Sequence, residues 1–141
     1  MSVDHIFVDT NILFYAHDRD AGERHQTAKE RVLWLWHRPL LPSISVQVLQ
    51  EFYVNLVRKK VPAPLARETV TDYLAWNVID NDRSLVVDGL RWKEKGNISY
   101  WDALILAAAR KAKATEIWSE DLSHGQVYDG IVVVNPLVSG L

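Results

Sequence analysis

The chain has 141 residues, 48% of them hydrophobic and 24% charged, which suits one domain with a substantial buried core. It contains no cysteine, so disulfides and thiolate zinc sites are excluded, and no apolar run approaches the length of a membrane span. The net charge of −2 speaks against a strongly basic nucleic-acid binder, and a cytoplasmic protein with no membrane attachment is expected.

Residues 5–8 form an apolar run of strand length, and Asp9 stands where that strand ends, followed by Thr10 and Asn11. A strand apolar on both faces belongs in a parallel α/β sheet, where ligands collect outside the carboxyl ends of the strands. The plain structural alternative is that Asp9 or Thr10 caps the next helix. Residues 12–16 continue apolar, and 17–22 read as a loop.

From Glu23 the spacing becomes helical, with Ala28, Val32, Leu35 and Trp36 on one face and Pro39 after the end. Trp34 points away from that face, either packed under a loop or exposed at a protein interface. Residues 39–44 predict a second strand or an extended entry to the next helix. Ser45 is placed to cap a helix from Val46 to about Lys59. Leu49, Phe52, Tyr53 and Leu56 share one face of it, while Gln47, Glu51 and Asn55 form a stripe at four-residue spacing on another. Glu51 alone would be ordinary solvated surface; its significance depends on company. Arg58, Lys59 and Lys60 close the helix, where cations suit the negative end of the dipole; phosphate contact is the alternative.

Residues 65–76 look helical through Leu65, Thr69, Val70, Tyr73 and Leu74, and Val78 and Ile79 suggest a third strand. A helix over 84–95 carries Leu85, Asp88, Leu90 and Trp92, and Gly96-Asn97 ends it. The strongest helix signal runs from Ser99 to Lys113. Ser99 and Asp102 have capping-box spacing, and an acid in the first turn is stabilised by the dipole as a carboxylate, so capping and metal binding are compatible there. Glu116-Ile117-Trp118 reads as a fourth strand ending at Ser119-Glu120-Asp121, which repeats the arrangement at Asp9. Residues 122–130 read as a polar loop with two glycines and 131–134 as a short apolar strand. No repeat or linker divides the chain, so residues 1–141 are expected to be a single domain.

Two phosphate-binding patterns are missing, the G-x-G-x-x-G fingerprint and the P-loop. The five histidines include no i, i+4 metal pair, and no serine sits in a G-x-S-x-G turn. What remains is a set of acids, Asp9, Glu51, Asp102 and Asp121, that an α/β sheet can return to one edge. Several carboxylates in one pocket repel each other unless protons or cations compensate. All-oxygen ligation selects Mg²⁺ or Mn²⁺, which can activate water and stabilise the leaving oxygen of a phosphodiester, ideally as two ions roughly 3.5–4 Å apart. Hydrolysis of nucleic acid is the leading inference. Removing those four acids from the net charge of −2 leaves +2, so a mildly basic surface around the site is compatible with it.

The chain resembles the PIN-domain nucleases, in particular the VapC-type toxins of toxin/antitoxin pairs, over nearly its whole length. The matching elements are Phe7-Val8-Asp9-Thr10-Asn11-Ile12-Leu13, the helix of Glu51, Tyr100-Trp101-Asp102-Ala103 and Ser119-Glu120-Asp121-Leu122. The resemblance implies a three-layer α/β/α sandwich around a mostly parallel sheet, and a metal-dependent endoribonuclease. Carried over residue by residue, it makes Asp9, Glu51 and Asp102 the main metal-site acids and Asp121 a fourth. Asn11 would orient the acids, and Ser119 holds the hydroxyl position where the family often has threonine. In the expected mechanism Asp9 and Asp102 anchor the first Mg²⁺ or Mn²⁺, Glu51 shares it or positions the attacking water, and Asp121 helps hold a second. Arg58, Lys59, Lys60, Arg110, Lys111 and Lys113 are candidate phosphate contacts. The resemblance also implies an RNA substrate, a homodimer and a small antitoxin partner.

Two other classes stay open on the residues themselves. One is a catalytically silent PIN-like module that binds RNA or protein, against which the full set of acids weighs. The other is an aspartate-nucleophile phosphatase, whose haloacid-dehalogenase pattern expects a second Asp where this chain has Asn11.

Overall fold

The computed structural model describes residues 4–138; the outermost residues of the expected 1–141 domain, 1–3 and 139–141, lie outside the described residues. The chain runs β1 (Ile6–Val8), α1 (Thr10–His17), a 3-10 turn (Arg19–Ala21), α2 (Glu23–Trp36), β2 (Ser43–Ser45), α3 (Val46–Arg58) and α4 (Ala63–Asp72). A second 3-10 turn (Tyr73–Ala75), β3 (Asn77–Ile79), α5 (Arg83–Lys95), α6 (Tyr100–Lys111), β4 (Glu116–Trp118), β5 (Val127–Tyr128) and β6 (Ile131–Val134) complete it. The α/β class expected from the sequence is borne out.

The six strands form one sheet in the order β3-β2-β1-β4-β6-β5, parallel everywhere except the β5–β6 pair. From β1 the chain steps outward through β2 to β3, then returns to β4 on the other side of β1. Right-handed crossovers in opposite directions send their helices to opposite faces of the sheet. The helices divide accordingly, α1 packing with α2 and α3, and α5 with α6. The junction of β1 and β4 is therefore the topological switch point, where the loops leaving the two strands diverge and open a crevice. Phe7 pairs with Ile117 and Val8 with Trp118, and the Asp9 N–H extends this ladder to the Trp118 carbonyl at 2.9 Å. The residues after β1 and after β4 thus emerge side by side.

The core explains this rigidity. All three residues of β1 are buried, together with Ile12, Leu13, Ile44, Val48, Phe52, Leu106, Ile117 and Val133. On the other face, buried Ala103, Ala107, Ala108 and Ala109 bring α6 close to its neighbours. Gly89 of α5 leaves room for Leu104, since a Cβ there would stand 2.7 Å from the Leu104 Cδ2. The Ser45 hydroxyl, fully buried, caps α3 by accepting from the Val48 N–H at 3.2 Å. Ser45→Ala strands that N–H and is expected to cost about 1 kcal/mol in chemical denaturation. An unchanged unfolding midpoint would show that the cap contributes nothing.

Several expectations differ in detail. Residues 12–16 belong to a helix, α1, whose eight residues are too short and too uniformly apolar for a period to show. The 122–130 stretch contains the two-residue strand β5, joined to β6 through Asp129 and Gly130 at φ of 50° and 82°. That Asp-Gly pair matches the type I′ hairpin turn, a local signal that the reading of 122–130 as a loop overlooked. Tyr53, Leu65, Leu74 and Leu90, which marked the helical patterns in the sequence, are exposed. Trp34 is 53% exposed; its ring stacks on that of Trp118 at 6.0 Å, and the Arg38 guanidinium sits 5.1 Å from its centroid. Among the described residues no helix is long and apolar enough to cross a membrane.

Candidate metal centre

Asp9 leaves β1 at the switch point and serves as N-cap of α1, its Oδ1 accepting from the Thr10 N–H at 2.7 Å. Its Oδ2 accepts from the Ser119 hydroxyl at 2.9 Å, which ties the end of β1 to the end of β4. Ser119 Oγ in turn accepts from the N–H groups of Asp121 and Leu122, fixing the turn that carries Asp121. Asn11 Nδ2 donates to both oxygens of Asp121 at 3.1 Å. Asn11 and Ser119, the two residues the resemblance made supporting, thus each hydrogen-bond one of the acids.

Asp102 arrives from the opposite layer. It lies in the first turn of α6, and its N–H donates to the Ser99 Oγ at 3.1 Å, so the cap and the acid coexist as the sequence allowed. One carboxylate oxygen from each of Asp9, Asp102 and Asp121 lies within 4.8 Å of the other two. Glu120 is turned away from this group, held by the Tyr15 hydroxyl at 2.8 Å and the Arg24 Nε at 2.9 Å.

Glu51 lines the same cleft without joining the close trio. Its Oε1 accepts a short hydrogen bond, 2.6 Å, from the buried Thr10 hydroxyl, and its Oε2 a long one, 3.4 Å, from Gln47 Nε2. Gln47 also donates to the Trp101 carbonyl at 3.3 Å, and its buried Oε1 has no partner among the described residues. Thr10 and Gln47 were missed as site residues. The Gln47–Glu51–Asn55 stripe contained the signal for Gln47, whereas nothing local distinguished Thr10 from an ordinary capping residue.

The cleft has a volume of about 490 Å³. Besides the four acids its walls include Asn11, Gln50, Asn55 and Arg58, with Val54, Trp101 and Ile105 as apolar parts. Of the candidate phosphate contacts only Arg58 reaches it. Lys59 pairs with Asp18 and Asp20, Arg110 with Asp129 and Lys111 with Asp82. Lys60 and Lys113 do not line it and take left-handed φ values of 61° and 59° just past their helices.

Burial and mutual repulsion govern the charges. Asp9 is 4% exposed, and burial pushes its carboxyl from 3.8 to about 7 against the lowering effect of the Thr10 N–H and the Ser119 hydroxyl. The neighbouring charges of Asp121 and Asp102 add to the rise. Asp102 is raised by burial and then by Glu51, with Ser99 opposing. Asp121 is raised by burial, then by Asp102, Glu120 and Glu51, with Asn11 opposing. Three carboxyls that resist ionisation together, offering only oxygen donors, fit a hard divalent cation.

The sequence model of the PIN domain matches residues 6–129. The chain belongs to the PIN-domain family. Among solved structures, this PIN domain is similar to VapC20 of Mycobacterium tuberculosis, a sarcin-ricin loop cleaving toxin, with 27% identity and a TM-score of 0.65 over 82% of this chain and 89% of that one. It also shares its fold with a toxin–antitoxin complex from Klebsiella pneumoniae, at 23% identity and a TM-score of 0.68 over 94% of this chain and 97% of that one. No curated protein matches the chain. The family expected from the four acid-bearing segments is borne out.

Proposed function

We propose that the chain is a metal-dependent endoribonuclease that hydrolyses RNA phosphodiester bonds as the toxin of a toxin/antitoxin pair, with residues 1–141 acting as one nuclease domain. The observation that carries this reading is the convergence of Asp9, Asp102 and Asp121 at the switch point of the sheet, with Asp9 buried and hard to ionise. The family and the likeness to a sarcin-ricin loop cleaving toxin support the RNA substrate. The likeness to a toxin–antitoxin complex supports an antitoxin partner, which in this reading is small and covers the cleft. A homodimer and a cytoplasmic location complete the reading.

Asp9, Asp102 and Asp121 are the residues that would hold Mg²⁺ or Mn²⁺. When bound, such a cation offsets the phosphate charge and lowers the pKa of a coordinated water. Ser119 fixes the Asp9 carboxylate and Asn11 fixes that of Asp121, so both are oriented before substrate arrives. Thr10 pins Glu51 Oε1, leaving the loosely held Oε2 to accept the proton of the attacking water. Arg58, which forms no ion pair among the described residues, stands in the cleft wall to meet an RNA phosphate.

The test is cleavage of a structured RNA by purified protein in Mg²⁺, in Mn²⁺ and in EDTA. Cutting that requires either metal and stops in EDTA is the expected outcome. Equal cutting in EDTA overturns the metal mechanism, and RNA bound but never cut favours the silent binding module.

A further inference from the structure

Trp101 has no role in the chemistry above, yet it is the most exposed of the large hydrophobic residues described, at 61%. It stands in the first turn of α6, one residue before Asp102, and lines the cleft of the acids. Its backbone is not loose: the Trp101 carbonyl accepts from Gln47, and its ring touches that of Tyr100, with centroids 5.6 Å apart. An indole exposed to this extent forfeits the burial that normally justifies tryptophan.

We propose that Trp101 is a stacking platform for an unpaired RNA base next to the phosphate held at the acids, with Arg58 meeting the backbone. The inference deepens the nuclease reading and rests on it. RNA is recognised chiefly where its bases are unstacked and can lie on an aromatic face. Stacking needs an accessible ring on a fixed backbone within one or two nucleotides of the reacting phosphate, and Trp101 meets these conditions. The surroundings favour RNA over a protein partner. Beside Val54 and Ile105, the wall carries Gln50, Asn55 and Arg58, whose amides and guanidinium are groups that meet base edges and phosphates.

The test uses the full chain as wild type, Trp101→Ala and Trp101→Phe, with two readouts. Binding of labelled single-stranded RNA is followed by anisotropy in EDTA, so that nothing is cut. Trp101→Ala is expected to weaken binding about tenfold and Trp101→Phe to restore most of it. In Mn²⁺ the alanine variant raises KM by a similar factor with kcat little changed. Removing one base beside the scissile phosphate penalises wild type but not Trp101→Ala.

Equal RNA binding by wild type and Trp101→Ala overturns the platform while leaving the nuclease reading intact. So does a loss confined to self-association or antitoxin binding, which would make Trp101 a protein contact. RNA bound through Trp101 but uncut in either metal overturns the nuclease reading and leaves the platform standing. Wild type that neither binds RNA in EDTA nor cuts it in Mn²⁺ overturns both.

Discussion

Asp102→Asn and Asp9→Asn are each expected to lower kcat for RNA cleavage by on the order of 10³-fold while the protein stays folded. The magnitude follows from the several kcal/mol that a cation contributes to stabilising a phosphoryl transition state. Each variant removes one negative charge from a trio whose oxygens lie within 4.8 Å of one another, so metal affinity is expected to fall together with rate. Glu51→Gln is expected to behave differently. Glu51 stands outside the trio, bonded to Thr10 and Gln47, so its loss lowers kcat but leaves Mn²⁺ affinity close to wild type. Mn²⁺ titration of the three variants beside single-turnover cleavage separates the two effects. If Glu51→Gln loses metal as severely as Asp102→Asn, the division of labour is wrong and Glu51 is a full ligand.

Most of this site was legible because parallel sheets place the ends of their strands predictably. An acid after an apolar strand occurs twice, at Asp9 and at Asp121, and the pairing of β1 with β4 makes the two neighbours. Asp102 was legible from helix chemistry, since Ser99 marks where α6 begins and an acid three residues later must lie in its first turn. Pattern does not say why the neighbouring Glu120 stays out: the Tyr15 hydroxyl and Arg24, more than ninety residues earlier, hold it away from the cleft. Glu51 shows the limit in another way. Its helix face was correct, but a 2.6 Å bond from Thr10, set by the packing of α1 against α3, decides that it borders the trio instead of closing it. The stacking of Trp34 on Trp118 was hidden for the same reason, because Trp118 lies on a strand far away in sequence.

The same crowding of carboxyls makes stability depend on pH and on metal, with opposite signs. In the folded, metal-free protein the Asp9 carboxyl titrates near 7, against an ordinary value of 3.8. Between those values the folded state binds a proton that the unfolded state has released, so raising the pH favours unfolding. The contribution is fully present below about pH 4 and is lost as pH rises to about 7, amounting to about 4 kcal/mol for this buried group. Asp102 and Asp121, also raised, act in the same direction. Asp82, whose carboxyl Lys111 holds well below the ordinary range, acts oppositely in more acid solution, and His17, whose imidazole burial pushes below its ordinary 6.5, offsets part of the Asp9 contribution below that pH. Melting temperature in EDTA is therefore expected to fall from pH 5 to pH 8. At pH 8 saturating Mn²⁺ or Mg²⁺ raises it, because a cation that binds only the folded state stabilises it. At pH 5 the increase shrinks, since protons compete for the same oxygens. Asp9→Asn removes the main titrating group, so it should flatten the pH profile and reduce the metal response together. A melting temperature that does not change between pH 5 and 8 in EDTA, or an Asp9→Asn variant that gains as much from Mn²⁺ as wild type, would show that Asp9 is neither strained as a carboxylate nor a ligand.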